Sequence, residues 1–146
     1  MYNWKELLDY INGEIAGMSF ERQPAELYAP IRYVLSMGGK RIRPVLMLMA
    51  YNLYKEKVEV IRSQAMAIEI YHNYTLLHDD LMDRADMRRG MATGHKKWDD
   101  NAEILRGDSL LVMAYRYMQP GYPVEQLGNV MSSFTDTALS TRKETQ

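Results

Sequence analysis

The sequence predicts an all-α protein, a helical bundle folded as one domain. Three observations predict it. Apolar residues recur at helical spacing along most of the chain. Strand-like alternation bounded by turn residues is hard to find. The longest periodic stretch, residues 58–82, contains neither glycine nor proline. With 146 residues, 47% hydrophobic and 25% charged, the chain can build a real core. No repeat, linker or low-complexity segment divides it, so residues 1–146 read as a single unit.

The elements follow in order. Trp4, Leu7, Leu8, Ile11 and Ile15 share a helical face, and Gly17 is a stop signal. A second helix is expected from about Pro24 to Met37, with Leu27, Ile31, Val34 and Leu35 apolar. Gly38 and Gly39 end it, because glycine supplies left-handed backbone at little cost. Pro44 opens a third helix, continued by "VLMLMAYNLY", since a first-turn proline loses no hydrogen bond. Residues 58–82 form the longest helix and residues 84–97 a loop with Gly90 and Gly94. Two more helices are expected, at about 99–118 and 123–140, separated by "QPGYP".

Bulk properties narrow the function. A net charge of -1 gives no global attraction to nucleic acid or anionic lipid. The absence of cysteine excludes disulfides and thiolate metal sites and suits a cytoplasmic protein. The start, "MYNWKELLDYINGEI", has no apolar signal core. No stretch approaches the roughly 20 apolar residues of a membrane span.

The chemistry concentrates in "LLHDDLMDRADMRRG", residues 76–90. On a helix, Asp79 and Asp83 share a face, with His72 nearly in line, while Asp80 points about 100° away. Like charges one turn apart repel unless a cation neutralises them. Carboxylate oxygens suit Mg²⁺, which keeps waters and completes its shell with phosphate oxygens. Arg88 and Arg89 follow just past the helix, where guanidinium forks can pair with phosphate. The bland reading is a solvated acidic helix end. It fits poorly with an apolar helix running straight into "DDLMD" and then "RRG". A second cationic group, Lys40, Arg41 and Arg43 in "GGKRIRP", lies beside two glycines and the start of a helix, a favourable place for an anion. Alone it could be a solvated loop. Two such clusters suggest two anionic substrates, or one gripped at both ends.

Three blocks, "GGKRIRP", "HNYTLLHDDLMD" and "RRGMATGH", resemble in order and spacing the trans-isoprenyl diphosphate synthases, the polyprenyl synthetase family. The resemblance is to the N-terminal half of a short-chain enzyme of the farnesyl or geranylgeranyl diphosphate synthase type. It implies the all-α isoprenoid synthase fold, commonly a homodimer, and Mg²⁺ as cofactor. It implies a prenyltransferase that condenses an allylic diphosphate with isopentenyl diphosphate. Asp79 and Asp83 would then hold Mg²⁺, with Asp80 supporting them as the third catalytic carboxylate. Arg88 would contact the allylic diphosphate, and Lys40, Arg43, His72 and Arg89 would bind isopentenyl diphosphate. Tyr71, Tyr74 and Thr75, upstream of Asp79, would limit the growing tail to a C15 or C20 product. The two tyrosines could equally just pack against neighbouring helices.

The sequence also departs from the family. It has no second aspartate-rich motif, and its end reads "ALSTRKETQ" where a Glu-Gly-Gln stretch and an acid are usual. Ala92 stands where proline is usual. These departures imply a chain with little or no activity alone, completed by oligomerisation or by a partner supplying the missing half. Two other readings stand beside this one. One is a non-catalytic half-synthase that binds or regulates. The other is a helical His-Asp metal phosphohydrolase using His72, His78-Asp79 and His95.

Overall fold

The computed structural model describes residues 1–18, 32–93, 100–120 and 124–144. Helix α1, Trp4–Ala16, begins with a reciprocal cap. Asn3 Oδ1 accepts from the Glu6 amide at 2.9 Å, and Glu6 Oε1 accepts from the Asn3 amide at 3.3 Å. Its apolar face buries Leu7, Ile11 and Ile15. Gly17 ends it in right-handed backbone, so the stop does not use glycine's left-handed freedom. Residues 32–36 are helical, as expected for the end of the second helix. The expected start of that helix, with Leu27 and Ile31, lies outside the described residues. Gly38 and Gly39 break the chain with φ of 76° and 145°.

Helix α2, Ile42–Asn52, starts two residues before the position expected from Pro44. Pro44 sits inside its first turn, where its missing amide would have had no helical partner. Arg41 precedes it in left-handed backbone, φ 51° and ψ 33°. The expected helix over 58–82 divides in two. Residues Val58–Ile61 form a 3₁₀ turn, and α3 runs Arg62–Asp83. Helix α3 is the axis of the molecule. Ala65, Met66, Ala67, Ile70, Tyr71, Tyr74 and Leu77 are buried on it, together with the polar Gln64, Glu69, Asn73 and Asp80. Burial all round marks a helix with neighbours on most sides. It packs most extensively on α4, Asp100–Met118, and then on α2 and α1. Leu48 of α2 and Leu110 of α4 are fully buried against it. Each such side chain stabilises the fold by about 2 kcal/mol.

The segment after α3 is not a plain loop. Met87–Arg88 (β1) pairs antiparallel with Met91–Ala92 (β2), in the register Met87↔Ala92 and Arg88↔Met91. Arg89 and Gly90 form its two-residue turn, both at positive φ, 52° and 78°. That is the turn whose twist matches a hairpin. Helix α5, Val124–Glu144, runs four residues past its expected end. It meets α3 and α4 through Phe134, which packs edge-on to Tyr71 at 5.6 Å and to Tyr115 at 4.8 Å. No described helix is long and apolar enough to cross a membrane.

Candidate functional site

The site forms where the C-terminal half of α3 meets the 38–43 segment and the hairpin. Asp79 and Asp83 lie one turn apart on one face at the end of α3. The helix C-terminus carries partial negative charge, so backbone and side chains together favour a cation. Among the described residues no cluster of three His, Cys, Asp or Glu could hold a metal ion by itself. Two hard carboxylates do fit Mg²⁺ if water and phosphate oxygens complete its shell. The donor set therefore suits an ion that arrives with a diphosphate.

Asp80 has a different role from its neighbour. It is buried and accepts two hydrogen bonds from Arg88, Nε at 2.8 Å and Nη2 at 2.6 Å. This fork raises the Arg88 pKa above its usual value, and Asp79 and Asp83 add to the effect. Arg88 is thus held beside the carboxylates, and its Nη1 takes no part in the pair.

The next residue points elsewhere. Arg89 Nη1 donates to the Gly38 carbonyl, and its guanidinium lies so close to Gly39 that a Cβ there would fall 2.6 Å from Cζ. A side chain at 39 would push that guanidinium aside, and the φ of 145° itself favours glycine. Lys40, Arg43, His72 and Arg89 line one cleft of about 510 Å³, together with Met37, Gly39, Arg41, Ile42 and Glu69. The four residues that the sequence resemblance assigns to isopentenyl diphosphate are thereby brought together from three segments.

His72 lies among cationic neighbours in the cleft. Burial lowers its pKa, as do Arg43, Arg89 and Arg88, against an opposing pull from Glu69. Its Nε2 lies 3.4 Å from Arg43 Nη1. Arginine can only donate, so Nε2 accepts and the proton sits on Nδ1. Burial pulls the Arg89 pKa down, yet a guanidinium stays charged.

Arg41 does not join the cationic set. It is buried, with Nη1 on Glu69 Oε1 at 2.6 Å, Nη2 on the Leu35 carbonyl at 2.9 Å and Nε on Asn12 Oδ1 at 3.1 Å. Nothing local in the sequence marks Glu69 as its partner, because the two lie 28 positions apart. Asn12, 29 positions from Arg41, has no local signal for the same reason.

Tyr71, Tyr74 and Thr75 lie upstream of Asp79 on α3. Both tyrosines are buried, with ring centroids 5.6 Å apart, and Tyr71 donates from its hydroxyl to the Ala138 carbonyl at 3.1 Å. Thr75 bonds back to the His72 carbonyl at 2.6 Å. His78 packs tilted on Tyr74, ring centroids 4.7 Å apart, and overlies Gly107 of α4, where a side chain would force the imidazole to shift. His95 lies outside the described residues.

The family model for polyprenyl synthetase matches residues 24–144. The chain belongs to this family of isoprenyl diphosphate synthases, and its all-α architecture is that of the family. A geranylgeranyl diphosphate synthase of Methanosarcina mazei is 42% identical over 96 residues, covering 66% of this chain and 30% of that one. A geranylfarnesyl diphosphate synthase of Natronomonas pharaonis is 32% identical over 150 positions, covering 90% and 44%. A crystal structure of a geranylgeranyl pyrophosphate synthase superposes with a TM-score of 0.90 at 42% identity, over 98% of this chain and 43% of that one. The corresponding enzyme of Pyrococcus horikoshii gives 0.81 at 31% identity, over 92% and 44%. The chain thus spans less than half the length of these relatives.

Proposed function

We propose that this chain is the N-terminal part of a short-chain prenyltransferase that joins an allylic diphosphate to isopentenyl diphosphate. The observation that carries the reading is the hairpin turn. It sends two consecutive arginines to two places, Arg88 to Asp80 beside Asp79 and Asp83, and Arg89 to the cationic cleft. Two diphosphates held side by side are what a head-to-tail condensation needs.

Asp79 and Asp83 would hold Mg²⁺, which when bound offsets the negative charge of the departing diphosphate. Arg88, fixed by Asp80, adds a guanidinium to the same phosphate group without having to reorganise. The allylic C–O bond breaks with both electrons leaving on the diphosphate. The alkene of isopentenyl diphosphate attacks the resulting carbocation, and a proton is then lost. Lys40, Arg43, His72 and Arg89 hold the second diphosphate. Tyr71 and Tyr74, with Thr75, close the path below the carboxylates and limit the product to C15 or C20. Oligomerisation, or a partner that supplies a second set of carboxylates, would complete the site. A cytoplasmic location is part of this reading.

The test is calorimetric. Isopentenyl diphosphate should bind without Mg²⁺, and geranyl diphosphate only with it. Asp79→Ala should abolish the second binding and spare the first. Magnesium-independent binding of geranyl diphosphate, unchanged by Asp79→Ala, would sink the reading. A non-catalytic half-synthase is the second reading. Products in a mass-spectrometric assay would decide between the two. A His-Asp phosphohydrolase is disfavoured, since His78 is packed on Tyr74 and over Gly107.

A further inference from the structure

The cleft that gathers four candidate diphosphate ligands also contains a carboxylate, Glu69. A bare carboxylate there would oppose an incoming anion. Arg41 cancels it at 2.6 Å, with both side chains almost wholly buried. The guanidinium does more than pair. Its Nη1 holds α3 through Glu69, its Nη2 holds the backbone before the glycines through the Leu35 carbonyl, and its Nε holds α1 through Asn12. Glu69 is itself fixed, because its Oε1 also accepts from Asn73 at 3.3 Å. The left-handed backbone at Arg41 turns its side chain inward, while Lys40 and Arg43 on either side are exposed.

We propose that Arg41 is a positioning residue for the cleft. Its clamp on Glu69, Leu35 and Asn12 sets Lys40 and Arg43 against His72 and Arg89, and it cancels the one carboxylate lining the pocket. This rests on the cleft being the isopentenyl diphosphate site. A lysine at 41 could answer Glu69, but it has no planar fork to reach the other two partners. The charge would be kept and the clamp lost.

The experiment is titration calorimetry on the 146-residue chain in EDTA, so that the carboxylate side takes no part. Isopentenyl diphosphate and inorganic pyrophosphate are the probes. Arg43→Gln tests the cleft itself and should weaken binding. Arg41→Lys should weaken both probes roughly tenfold through lost preorganisation, at a temperature where circular dichroism shows it folded. The double variant Arg41→Leu with Glu69→Leu leaves no orphan charge, which keeps it foldable, and should show a similar loss. Wild-type affinity in the folded double variant, with Arg43→Gln weakened, would mean that the pair only stabilises the fold and would overturn the proposal. Wild-type affinity in Arg43→Gln would overturn the reading of the cleft and the role of Arg41 with it.

Discussion

Asp79 and Asp80 are adjacent in sequence and have opposite environments. Asp79 shares a face with Asp83, whereas Asp80 is buried under Arg88. Asp80→Ala should therefore cost stability as well as substrate affinity. Losing two charge-assisted hydrogen bonds at a partly buried pair is worth about 2 kcal/mol, readable in urea denaturation. Asp79→Ala removes no such bond and should leave the denaturation midpoint within about 0.5 kcal/mol of wild type. His72 gives a pH prediction. Its folded pKa is depressed, chiefly by burial and then by Arg43. Below the unfolded value of about 6.5, the unfolded chain takes up the proton more readily. The stability that His72 contributes is thus fully present above about pH 6.5 and is lost as pH falls through the folded value. His72→Gln should flatten the pH dependence of the midpoint across this range. An unchanged slope would show that His72 is not the group that titrates.

At the scale of elements, α3 relates the site to the rest of the bundle through two contacts. His78 overlies Gly107 of α4 one residue before Asp79. Gly107→Ala gains about 1 kcal/mol of helix propensity but forces His78 off Tyr74 or α4 off α3. Overpacking of that kind costs about 1–3 kcal/mol, so the variant should melt lower. Adding His78→Ala should restore the lost stability, because it removes the group in the way. The second contact is Tyr71 against Phe134 and Ala138 of α5. It gives Tyr71 a packing role beside any role in product length. Tyr74→Ala is therefore the cleaner test in a competent enzyme carrying this half. Its products, read by mass spectrometry, should be longer than those of the parent.

At the scale of the molecule, the described surface exposes Leu46, Leu53 and Tyr54 on and after α2, Leu105 and Val112 on α4, and Leu139 on α5. Exposed apolar side chains on several helices favour association. Sedimentation should show concentration-dependent assembly. Incubation of the isolated chain with Mg²⁺, isopentenyl diphosphate and geranyl diphosphate should yield little or no prenyl product, because among the described residues no group of three metal-ligating side chains gathers. Rapid turnover abolished by Asp79→Ala would refute that expectation.

The sequence by itself determined the helices and the chemical character of the site, because both are written in local terms. A 3.6-residue apolar period specifies α3 and its neighbours, and spacing alone places Asp79 and Asp83 on one face. The lengths of α2 and α5 and the 3₁₀ turn before α3 were not legible, since helix ends depend on caps and packing. The two-residue strands were too short to alternate, and their turn uses Arg-Gly where Asn-Gly would have given a signal. Long-range contacts were hidden as well. Arg41, Arg43 and Lys40 look alike in "GGKRIRP" by residue chemistry; the family resemblance set Arg41 apart, and the fold gives the physical reason. It brings Glu69, Leu35 and Asn12 around Arg41 and leaves the other two facing the cleft. A buried charge needs a partner, and that partner is chosen by the packing of α2 on α3, not by neighbours in sequence.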